Sequence, residues 1–399
     1  MRIAYLSDSL PPLTDGVTRT LEQLFTSLLA EGVEFRVYSA FQPPAGTAWR
    51  DRVRRLRSLS FPGYREYRCA LPWGQGLARD LDRFGPDLVH VVSPTLLGHF
   101  GQRWARRRRK PVVASYHTHF LSYLPHYGAR RLRGPLLRVL RAFHARCART
   151  YAPSPSAARL LQGWGLAGVE LWPRGVDTDA FSPALRSAAL RAAVVPDERP
   201  LVLCVGRLVR EKDLDDLAAA HEILRGREVP FRLAFVGQGP HQAALQARLP
   251  EAFFAGHQSG DALARWYASA DVFACPSSTE TFGNVALEAL ASGLPVVGVD
   301  QGGVADLVRA GVDGLIARAH DPSSLADALG ALLADPCRRR ALGRAGRAAA
   351  EARRWPDVNR ALLRSYERVI AEGVLAGPAP RRPPLRLTSL GRLGPAKPR

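Results

Sequence analysis

Residues 2–39 have the sequence RIAYLSDSLPPLTDGVTRTLEQLFTSLLAEGVEFRVYS, which contains the opening pattern of a parallel sheet. Residues 2–6 are a short apolar run that stops at a polar turn, so they predict a buried strand. Residues 18–31 carry leucines and a phenylalanine at helical spacing, and residues 33–39 predict the next strand. Strand, loop, helix and strand in this order indicate parallel strands with a crossover helix.

A similar order recurs in the second half of the chain. Residues 201–205 and 231–236 predict strands on either side of a helix at residues 213–224. Further strands are predicted at residues 87–92, 112–116, 272–275 and 296–299. We therefore expect an α/β protein with two Rossmann-like doubly wound domains that face each other across a cleft, where such sheets bind ligands.

The chain has 399 residues, which is about right for two domains of ~150–200 residues each. We assign residues 1–175 to an N-terminal domain and residues 176–372 to a C-terminal domain. Residues 373–399 combine prolines with six basic residues and no acids, so they predict a disordered basic tail.

The formal net charge of +20 is concentrated in two zones. Residues 101–150 contain 13 Arg or Lys and no Asp or Glu, and the tail contributes six more positive charges. The remainder of the chain is nearly neutral. A high arginine content can reflect genome composition, but that does not account for 50 residues without a carboxylate. A nucleic-acid-binding protein would also have basic zones.

The cysteines and the N-terminus indicate an intracellular protein. The five cysteines are at least 57 residues apart and form no CxxC pair, which predicts reduced thiols in the cytosol. The N-terminus becomes polar too early for a signal peptide. Because no apolar run approaches ~18 residues, we expect any membrane contact to be peripheral.

Residues 278–288, STETFGNVALE, carry the most informative motif. They follow the strand predicted at residues 272–275, with Glu280 expected at the start of a helix and Glu288 two turns along it. Free N–H groups and the helix dipole make such a start an anion site, and Gly283 allows a ligand to approach the backbone. A single carboxylate there could be a helix cap, but two around a glycine are harder to explain in that way.

The second motif is GRLVREKD at residues 206–213. Arg207 follows the end of a predicted strand, and Lys212 comes five residues later. A guanidinium fork and an ammonium point charge both suit a phosphate ligand. Taken alone, the segment would equally fit a solvated basic loop.

Together these segments resemble the retaining glycosyltransferases of the GT-B group called family 4. Glu280 and Glu288 resemble the E-x7-E motif of that family, and residues 206–212 resemble its G-R-x4-K motif. Residues 15–17 resemble the family's glycine loop, and residues 175–181 resemble its interdomain G-V-D-x3-F segment. Residues 293–303 resemble its last donor loop. The similarity covers about residues 1–370. Asp213 stands where the family commonly has Gly, and Gln238 where Asp is usual, but neither departure removes an expected charged contact.

The resemblance implies a nucleotide sugar as co-substrate and no cofactor. The implied catalytic residues are Glu280 and His117, and the implied donor-binding residues are Gly16, Arg207, Lys212, Phe282, Gly283, Asn284 and Glu288.

These residues have implied roles on both sides of the cleft. Arg207 and Lys212 would neutralise the diphosphate, together with the amides before the helix. Glu288 would bind the ribose hydroxyls, and Glu280 would contact the donor sugar. Gly16 would let the N-terminal loop close on the phosphate, and His117 would face the sugar.

We expect no metal site. Residues 177–179 form the sequence Asp-Thr-Asp, a D-x-D pattern that binds metal in other glycosyltransferases. Here it lies in the interdomain segment, so we interpret it as structural. Cationic side chains and helix amides would stabilise the negative charge on the leaving diphosphate, much as metal ions could.

The region after residue 115 suggests the acceptor. Residues 115–128 mix aromatic and polar groups, and the arginines and leucines that follow alternate as in a membrane-surface helix. The pattern looks most like the subgroup that glycosylates diacylglycerol-type lipids, including mannosyl- and sulfoquinovosyltransferases. The expected acceptor or membrane residues are Tyr123, Tyr127, Arg130, Arg131, Arg133 and Arg138. The apolar residues expected to enter the lipid interface are Leu132, Leu136, Leu137, Leu140 and Phe143.

The sequence thus predicts a hexosyltransferase that uses GDP-mannose or a UDP-hexose. Its expected acceptor is a diacylglycerol-type glycolipid precursor at the inner, anionic face of the cell membrane. A soluble or polysaccharide acceptor remains open, as does a nucleotide-sugar epimerase or a phosphorylase of the same fold, although no lysine-bound cofactor motif for a phosphorylase is visible. A nucleic-acid partner is not expected, because it would not explain the donor motifs.

Overall fold

The computed structural model describes residues 1–13, 15–61, 64–74, 76–124, 128–197 and 199–373. The predicted tail, apart from Gly373, lies outside the described residues.

The N-terminal half contains nine strands and six helices within the described residues. The strands are β1 (Arg2–Ser7), β2 (Glu34–Ser39), β3 (Val53–Arg55), β4 (Ser58–Phe61), β5 (Tyr64–Ala70), β6 (Leu88–Val91), β7 (Val112–Ser115), β8 (Arg149–Ala152) and β9 (Val169–Leu171). The helices are α1 (Gly16–Ala30), α2 (Leu77–Phe84), α3 (Leu96–Arg107), α4 (Phe120–Tyr123), α5 (Arg133–His144) and α6 (Pro155–Gly163). Seven strands form a parallel sheet in the order β3-β2-β1-β6-β7-β8-β9, while β4 and β5 form an antiparallel hairpin.

The C-terminal half contains a second parallel sheet. Its strands are β10 (Leu201–Val205), β11 (Arg232–Val236), β12 (Phe253–Phe254), β13 (Val272–Ala274), β14 (Val296–Val299) and β15 (Gly314–Ala317). The helices are α7 (Ala188–Val194), α8 (Leu214–Gly226), α9 (Gln242–Arg248), α10 (Gly260–Ser269), α11 (Asn284–Ala291), α12 (Gly303–Leu307), α13 (Pro322–Leu333), α14 (Pro336–Glu351) and α15 (Trp355–Glu372). The strand order is β12-β11-β10-β13-β14-β15.

Both sheets are doubly wound, which confirms the predicted fold class. The strand order reverses beside β1 in the first sheet and beside β10 in the second. Ligands of open α/β sheets bind at such reversals, outside the carboxyl ends of the strands. The loops that follow β1, β10 and β13 are therefore the expected walls of a site.

Helix α1 shows how the sequence produces these layers. The Asp15 side chain caps the helix by accepting a hydrogen bond from the Thr18 amide at 2.8 Å. Leu21, Leu24 and Phe25 then fall on one face and are fully buried in the first core. Full burial of each such side chain contributes roughly 1.5–3 kcal/mol. The helix is thereby fixed against the sheet.

The last helix joins the two halves. Side chains of α15, including Tyr366 and Val369, belong to the core around the first sheet. Asn359 of this helix donates to Ser27 Oγ of α1 at 2.9 Å. Before α15 begins, the Arg353 carbonyl accepts a hydrogen bond from the Val176 amide at 2.9 Å. The division at residues 175 and 176 itself stays a prediction.

Candidate active site

A cavity opens at the carboxyl ends of β10 and β13, where the order of the second sheet reverses. Its wall includes Gly206, Arg207, Lys212, Ser277 and Glu280. Lys212 and Glu280 form an ion pair there, and their side chains are only 22% and 19% exposed. The two motifs, 68 residues apart in the sequence, therefore meet at one point.

Arg207 supplies a second cation to this wall. Its Nη2 atom lies 3.9 Å from Oε1 of the buried Glu211, and about half of its side chain is exposed. Lys212 and Arg207 thus face the carboxylates of Glu280 and Glu211. An entering diphosphate would compete with these carboxylates for both cations.

Asp213 ties the two motif loops together. Its backbone has a φ of +53°, a left-handed conformation that Asp adopts more readily than most residues. Its Oδ2 atom accepts hydrogen bonds from the Ser278 amide at 2.8 Å and from Ser278 Oγ at 2.6 Å. The departure from glycine at this position therefore adds a carboxylate that holds the Glu280 loop against Lys212.

Helix α11 begins later than the sequence predicted. It starts at Asn284, so Glu280 lies in the preceding loop and not at the helix start. Glu288 lies in the second turn of the observed helix. The reason is Gly283, whose φ of +95° is left-handed and interrupts the helical conformation. The Glu280 loop is held instead by a 2.7 Å hydrogen bond from the Gly303 amide to the Glu280 carbonyl.

Glu288 is buried beside the N-terminal half. Its Oε1 atom accepts a hydrogen bond from Arg19 of α1 at 2.7 Å, and its Oε2 atom accepts one from the Tyr267 hydroxyl at 2.9 Å. Burial raises the pKa of Glu288 above its usual value, and Arg19 and Tyr267 only partly oppose this. Each carboxylate oxygen keeps acceptor capacity, so the expected contact with ribose hydroxyls stays possible.

His117 lies on the opposite wall, two residues after β7. Its Nδ1 atom is 2.9 Å from Nη2 of Arg174, and its carbonyl accepts a hydrogen bond from Thr281 Oγ1 at 2.8 Å. Since Thr281 follows Glu280 directly, this bond brings the two expected catalytic residues to the same cleft. Burial, followed by the Arg174 charge, holds the pKa of His117 well below its usual value, so the ring is neutral.

Gly16 and Asn284 are also brought together. A Cβ atom at Gly16 would lie 3.0 Å from Asn284 Nδ2, so a side chain there would crowd the second wall. Asn284 Oδ1 is buried and has no hydrogen-bond partner within the described part of the chain. Gly16 thus keeps the N-terminal loop close to the start of α11. Phe282, next to Gly283, is buried in the core of the second domain, which fixes the backbone of this loop.

The Asp-Thr-Asp pattern stabilises the turn in which it lies. Asp177 Oδ1 accepts hydrogen bonds from the Asp179 and Ala180 amides, both at 3.0 Å.

Elsewhere in the described chain, ligand atoms of Asp213, Asp216 and His320 lie within 4.8 Å of one another. Metal independence stays our prediction.

The expected membrane residues lie on the connection between β7 and β8. Arg131, Arg133 and Arg138 are exposed at the start and on the face of α5. The side chains of Tyr123 and Arg130, and all of Tyr127, lie outside the described residues. Among the described residues, no helix is long and apolar enough to cross a membrane.

The expectation that apolar residues of this segment enter the lipid interface is wrong for Leu140 and Phe143. Leu140 is 2% exposed and Phe143 is fully buried, because they form the face of α5 that packs on the domain. Leu136 and Leu137 are half-buried and pack against a small apolar cluster. The exposed apolar residues of this region are Leu132, at 57%, and Val139, at 50%.

Several residues of the site were missed at the level of sequence. Arg19 and Tyr267 reach Glu288 from distant segments, so no local pattern marks them. Arg174 precedes the recognised Gly-Val-Asp segment but was given no role. Asp213 was noted only as a departure from the family pattern, although that departure was the available signal.

The chain matches two families. Residues 199–335 match the family Glycosyl transferases group 1, and residues 14–180 match the family Glycosyltransferase Family 4. A sucrose-phosphate synthase from Thermosynechococcus elongatus has the same fold, with a TM-score of 0.75 and 24% identity over 93% of this chain and 100% of that chain.

Three curated relatives are similar over most of this chain. A GDP-mannose-dependent alpha-mannosyltransferase from Mycolicibacterium smegmatis is 37% identical, over 93% of this chain and 98% of its own. A GDP-mannose-dependent alpha-(1-6)-phosphatidylinositol monomannoside mannosyltransferase of the same species is 36% identical, over 86% and 92%. Sulfoquinovosyl transferase SQD2 from Arabidopsis thaliana is 34% identical, over 76% and 61%.

Two doubly wound domains with a cation-lined cavity at the strand ends are the architecture of the GT-B fold. The chain belongs to glycosyltransferase family 4 and is a nucleotide-sugar-dependent transferase, as the sequence predicted. Its relatives also confirm the predicted subgroup of mannosyl- and sulfoquinovosyltransferases.

Proposed function

We propose that this enzyme transfers mannose from GDP-mannose, with retention of configuration, to a diacylglycerol-type glycolipid precursor at an anionic membrane surface. The mannose donor is supported by the names of relatives that span nearly the whole chain. One of those names also contains a phosphatidylinositol acceptor.

The observation that carries the transferase mechanism is the Lys212–Glu280 pair in the cavity between β10 and β13. Cleavage of the anomeric C–O bond develops positive charge on the sugar and negative charge on the diphosphate. Lys212 and Arg207 stabilise the diphosphate, and release of Glu280 from Lys212 leaves a carboxylate near the cationic sugar. Fixed charges of this kind favour the transition state because they need no reorganisation during the reaction.

The basic surface of α5 supports a membrane acceptor. Arg131, Arg133 and Arg138 are exposed, and no acid occurs in residues 101–150 to neutralise them. Anionic headgroups attract each such arginine by roughly 1 kcal/mol when it is close to the surface. The same β7–β8 connection carries His117, so binding through α5 would bring the cleft near the lipid.

Vesicle sedimentation tests the membrane part of the proposal. Binding should require anionic lipid, weaken as NaCl is added, and fall when Arg130, Arg131, Arg133 and Arg138 are replaced by Ser. A matched control replaces four exposed arginines of the C-terminal half, Arg338, Arg340, Arg344 and Arg364, with the same loss of charge. Equal losses in both variants would contradict docking through α5. No binding to anionic vesicles at low salt would favour a soluble acceptor.

Two assays test the chemistry. In a thermal-shift comparison, GDP should stabilise the protein more than UDP or ADP at the same concentration. Release of GDP from GDP-mannose should depend on the lipid acceptor, and the product should have the α configuration. Preference for UDP would overturn the donor assignment. A hexose epimer formed without any acceptor would identify an epimerase instead.

A further inference from the structure

Among the described residues, Arg174 is a buried arginine without a carboxylate partner. The residue is 4% exposed, and its Nη1 atom donates to the carbonyl oxygens of Trp172 at 2.7 Å and Pro173 at 3.3 Å. Its Cζ atom lies 5.0 Å from the centroid of the Trp172 ring. Within the described part of the chain, no acidic side chain forms an ion pair with it. A buried cation without an ion pair is costly, which suggests a specific purpose.

The contact between Arg174 and His117 determines the state of the imidazole. A guanidinium has only N–H donors, so His117 Nδ1 must accept the 2.9 Å hydrogen bond with its lone pair. Because the ring is neutral, its single proton is then on Nε2. This assignment follows from the donor chemistry of the arginine alone.

The proton on Nε2 has no acceptor within the described residues. His117 Nε2 is buried and lacks a hydrogen-bond partner there. The Trp172 ring and the imidazole pack edge to face at 5.8 Å between centroids, and the Thr281 hydroxyl donates to the His117 carbonyl. The ring is therefore fixed while one polar N–H remains available for a ligand in the cleft.

We propose that Arg174 is a positioning residue that fixes His117 as a neutral Nε2–H hydrogen-bond donor to an oxygen atom of the nucleotide sugar. This inference rests on the proposed function for the identity of that oxygen. While the contact holds, neither ring nitrogen has a free lone pair, so His117 cannot act as a general base. The histidine orients and stabilises the donor substrate without receiving the acceptor proton.

The position of Arg174 in the fold holds its guanidinium rigidly beside His117. It stands two residues before Val176, whose amide is bonded to Arg353 where the chain crosses between the halves. Two backbone carbonyls and an indole ring fix its guanidinium on the other sides. An apolar side chain would leave His117 Nδ1 without its donor.

The test is a histidine tautomer measurement by NMR on the full chain labelled with ¹⁵N-histidine. The His117 signals are assigned by their loss in His117→Gln. At neutral pH, Nδ1 should be unprotonated and Nε2 protonated. Arg174→Met should give a mixture of tautomers and lower kcat by about 10- to 100-fold, with a smaller change in KM, because a misplaced donor acts mainly in the transition state. Arg174→Lys, which keeps a donor, should restore the tautomer and most of the activity.

A matched control is Arg191→Met. Arg191 lies in the same connecting region but donates to the Ser269 carbonyl and pairs with Asp271, so the His117 signals should not change. A wild-type His117 that carries its proton on Nδ1, or that is doubly protonated at neutral pH, would overturn the proposal even if Arg174→Met does not fold. An unchanged tautomer in folded Arg174→Met would also overturn it. The predicted tautomer in a protein that turns over no nucleotide sugar would instead overturn the proposed function.

Discussion

The two sheets open in the same way but present different chemistry. In both, a central strand leads through a loop and a helix to a parallel neighbour, β1 to β2 and β10 to β11. The loop after β1 contains Asp8 and Asp15 and no basic residue, whereas the loop after β10 contains Arg207, Arg210 and Lys212. Of these two loops, only the one after β10 thus supplies cations to the cleft. We therefore expect donor binding to depend on this difference in charge and not on the fold alone.

The N-terminal side contributes contacts across the cleft. Arg19 reaches Glu288, and the Thr281 hydroxyl binds the His117 carbonyl. At a third point, the Ser156 amide donates to Asp306 Oδ2 at 2.6 Å. The first two of these contacts involve residues of the expected site. The comparison therefore predicts that charge changes in the C-terminal loops have the largest effects.

The largest effect is expected for Glu280→Gln. The substitution keeps the size of the side chain but removes its charge near the reacting sugar, so transfer should fall by at least ~100-fold in a folded protein. Steady-state kinetics measure the rate of transfer, and circular dichroism measures whether the variant is folded. Glu251→Gln is the control, because it removes a carboxylate paired with Arg225 on the surface. Near-normal turnover of folded Glu280→Gln would remove this residue from the mechanism.

A smaller loss is expected when the cations are removed. Lys212→Ala should weaken binding of GDP by about 10-fold or more, because a charge-assisted hydrogen bond to phosphate is lost. Arg207→Ala should have a smaller effect, because its side chain is 51% exposed compared with 22% for Lys212. Binding of guanosine, which lacks phosphate, should change much less in both variants.

Calorimetry with GDP and guanosine measures these losses. The control is Arg225→Ala, which removes a surface cation 64% exposed in its ion pair. If GDP and guanosine lose affinity equally in Lys212→Ala, the side chain does not contact the diphosphate. In that case the charge asymmetry between the halves has no role in donor binding.

The sequence predicted the fold better than the contacts within the site. Strands such as β10 and β14 are continuous buried apolar runs, so their bounds were predicted without error. The start of α11 was misplaced because Gly283 has a left-handed φ, and a Cβ atom there would lie 2.7 Å from Val304, which the local sequence does not show. The Arg19–Glu288 pair spans 269 residues of sequence, and only the folded chain brings it together.

A pH effect of a few-fold is expected from Glu288. Its pKa is raised, so it loses its charge at a higher pH than an ordinary glutamate near 4.3. The ionised form accepts stronger hydrogen bonds from ribose hydroxyls than the protonated form, so affinity for guanosine should fall as the pH is lowered through this raised pKa. The folded form binds this proton more tightly than the unfolded chain. Protonation of Glu288 therefore stabilises the folded form as the pH falls through this raised pKa.

The comparison with Glu288→Gln isolates this group. Guanosine avoids the titration of phosphate, and the Gln variant should show little pH dependence in the same calorimetric series. Thermal unfolding without ligand should show the opposite sign: lowering the pH should favour the wild type relative to Glu288→Gln. An identical pH dependence of affinity in both proteins would contradict the contact with ribose.

The smallest effect is expected for Asp177→Asn. The Asn side chain keeps the oxygen that accepts from the Asp179 and Ala180 amides, so turnover should change by less than about two-fold. Kinetics with and without added Mn²⁺ measure this. A large loss that Mn²⁺ partly reverses would assign the Asp-Thr-Asp pattern to metal binding.

The central claim is that Arg207, Lys212 and the backbone before α11 hold the leaving diphosphate. Its most direct test is the release of GDP from GDP-mannose in excess EDTA, in the presence of anionic vesicles that contain the glycolipid acceptor. We expect the rate in EDTA to equal the rate without it, and to be lower in Lys212→Ala than in the wild type. Activity that disappears in EDTA and returns with Mg²⁺ or Mn²⁺ would contradict the claim.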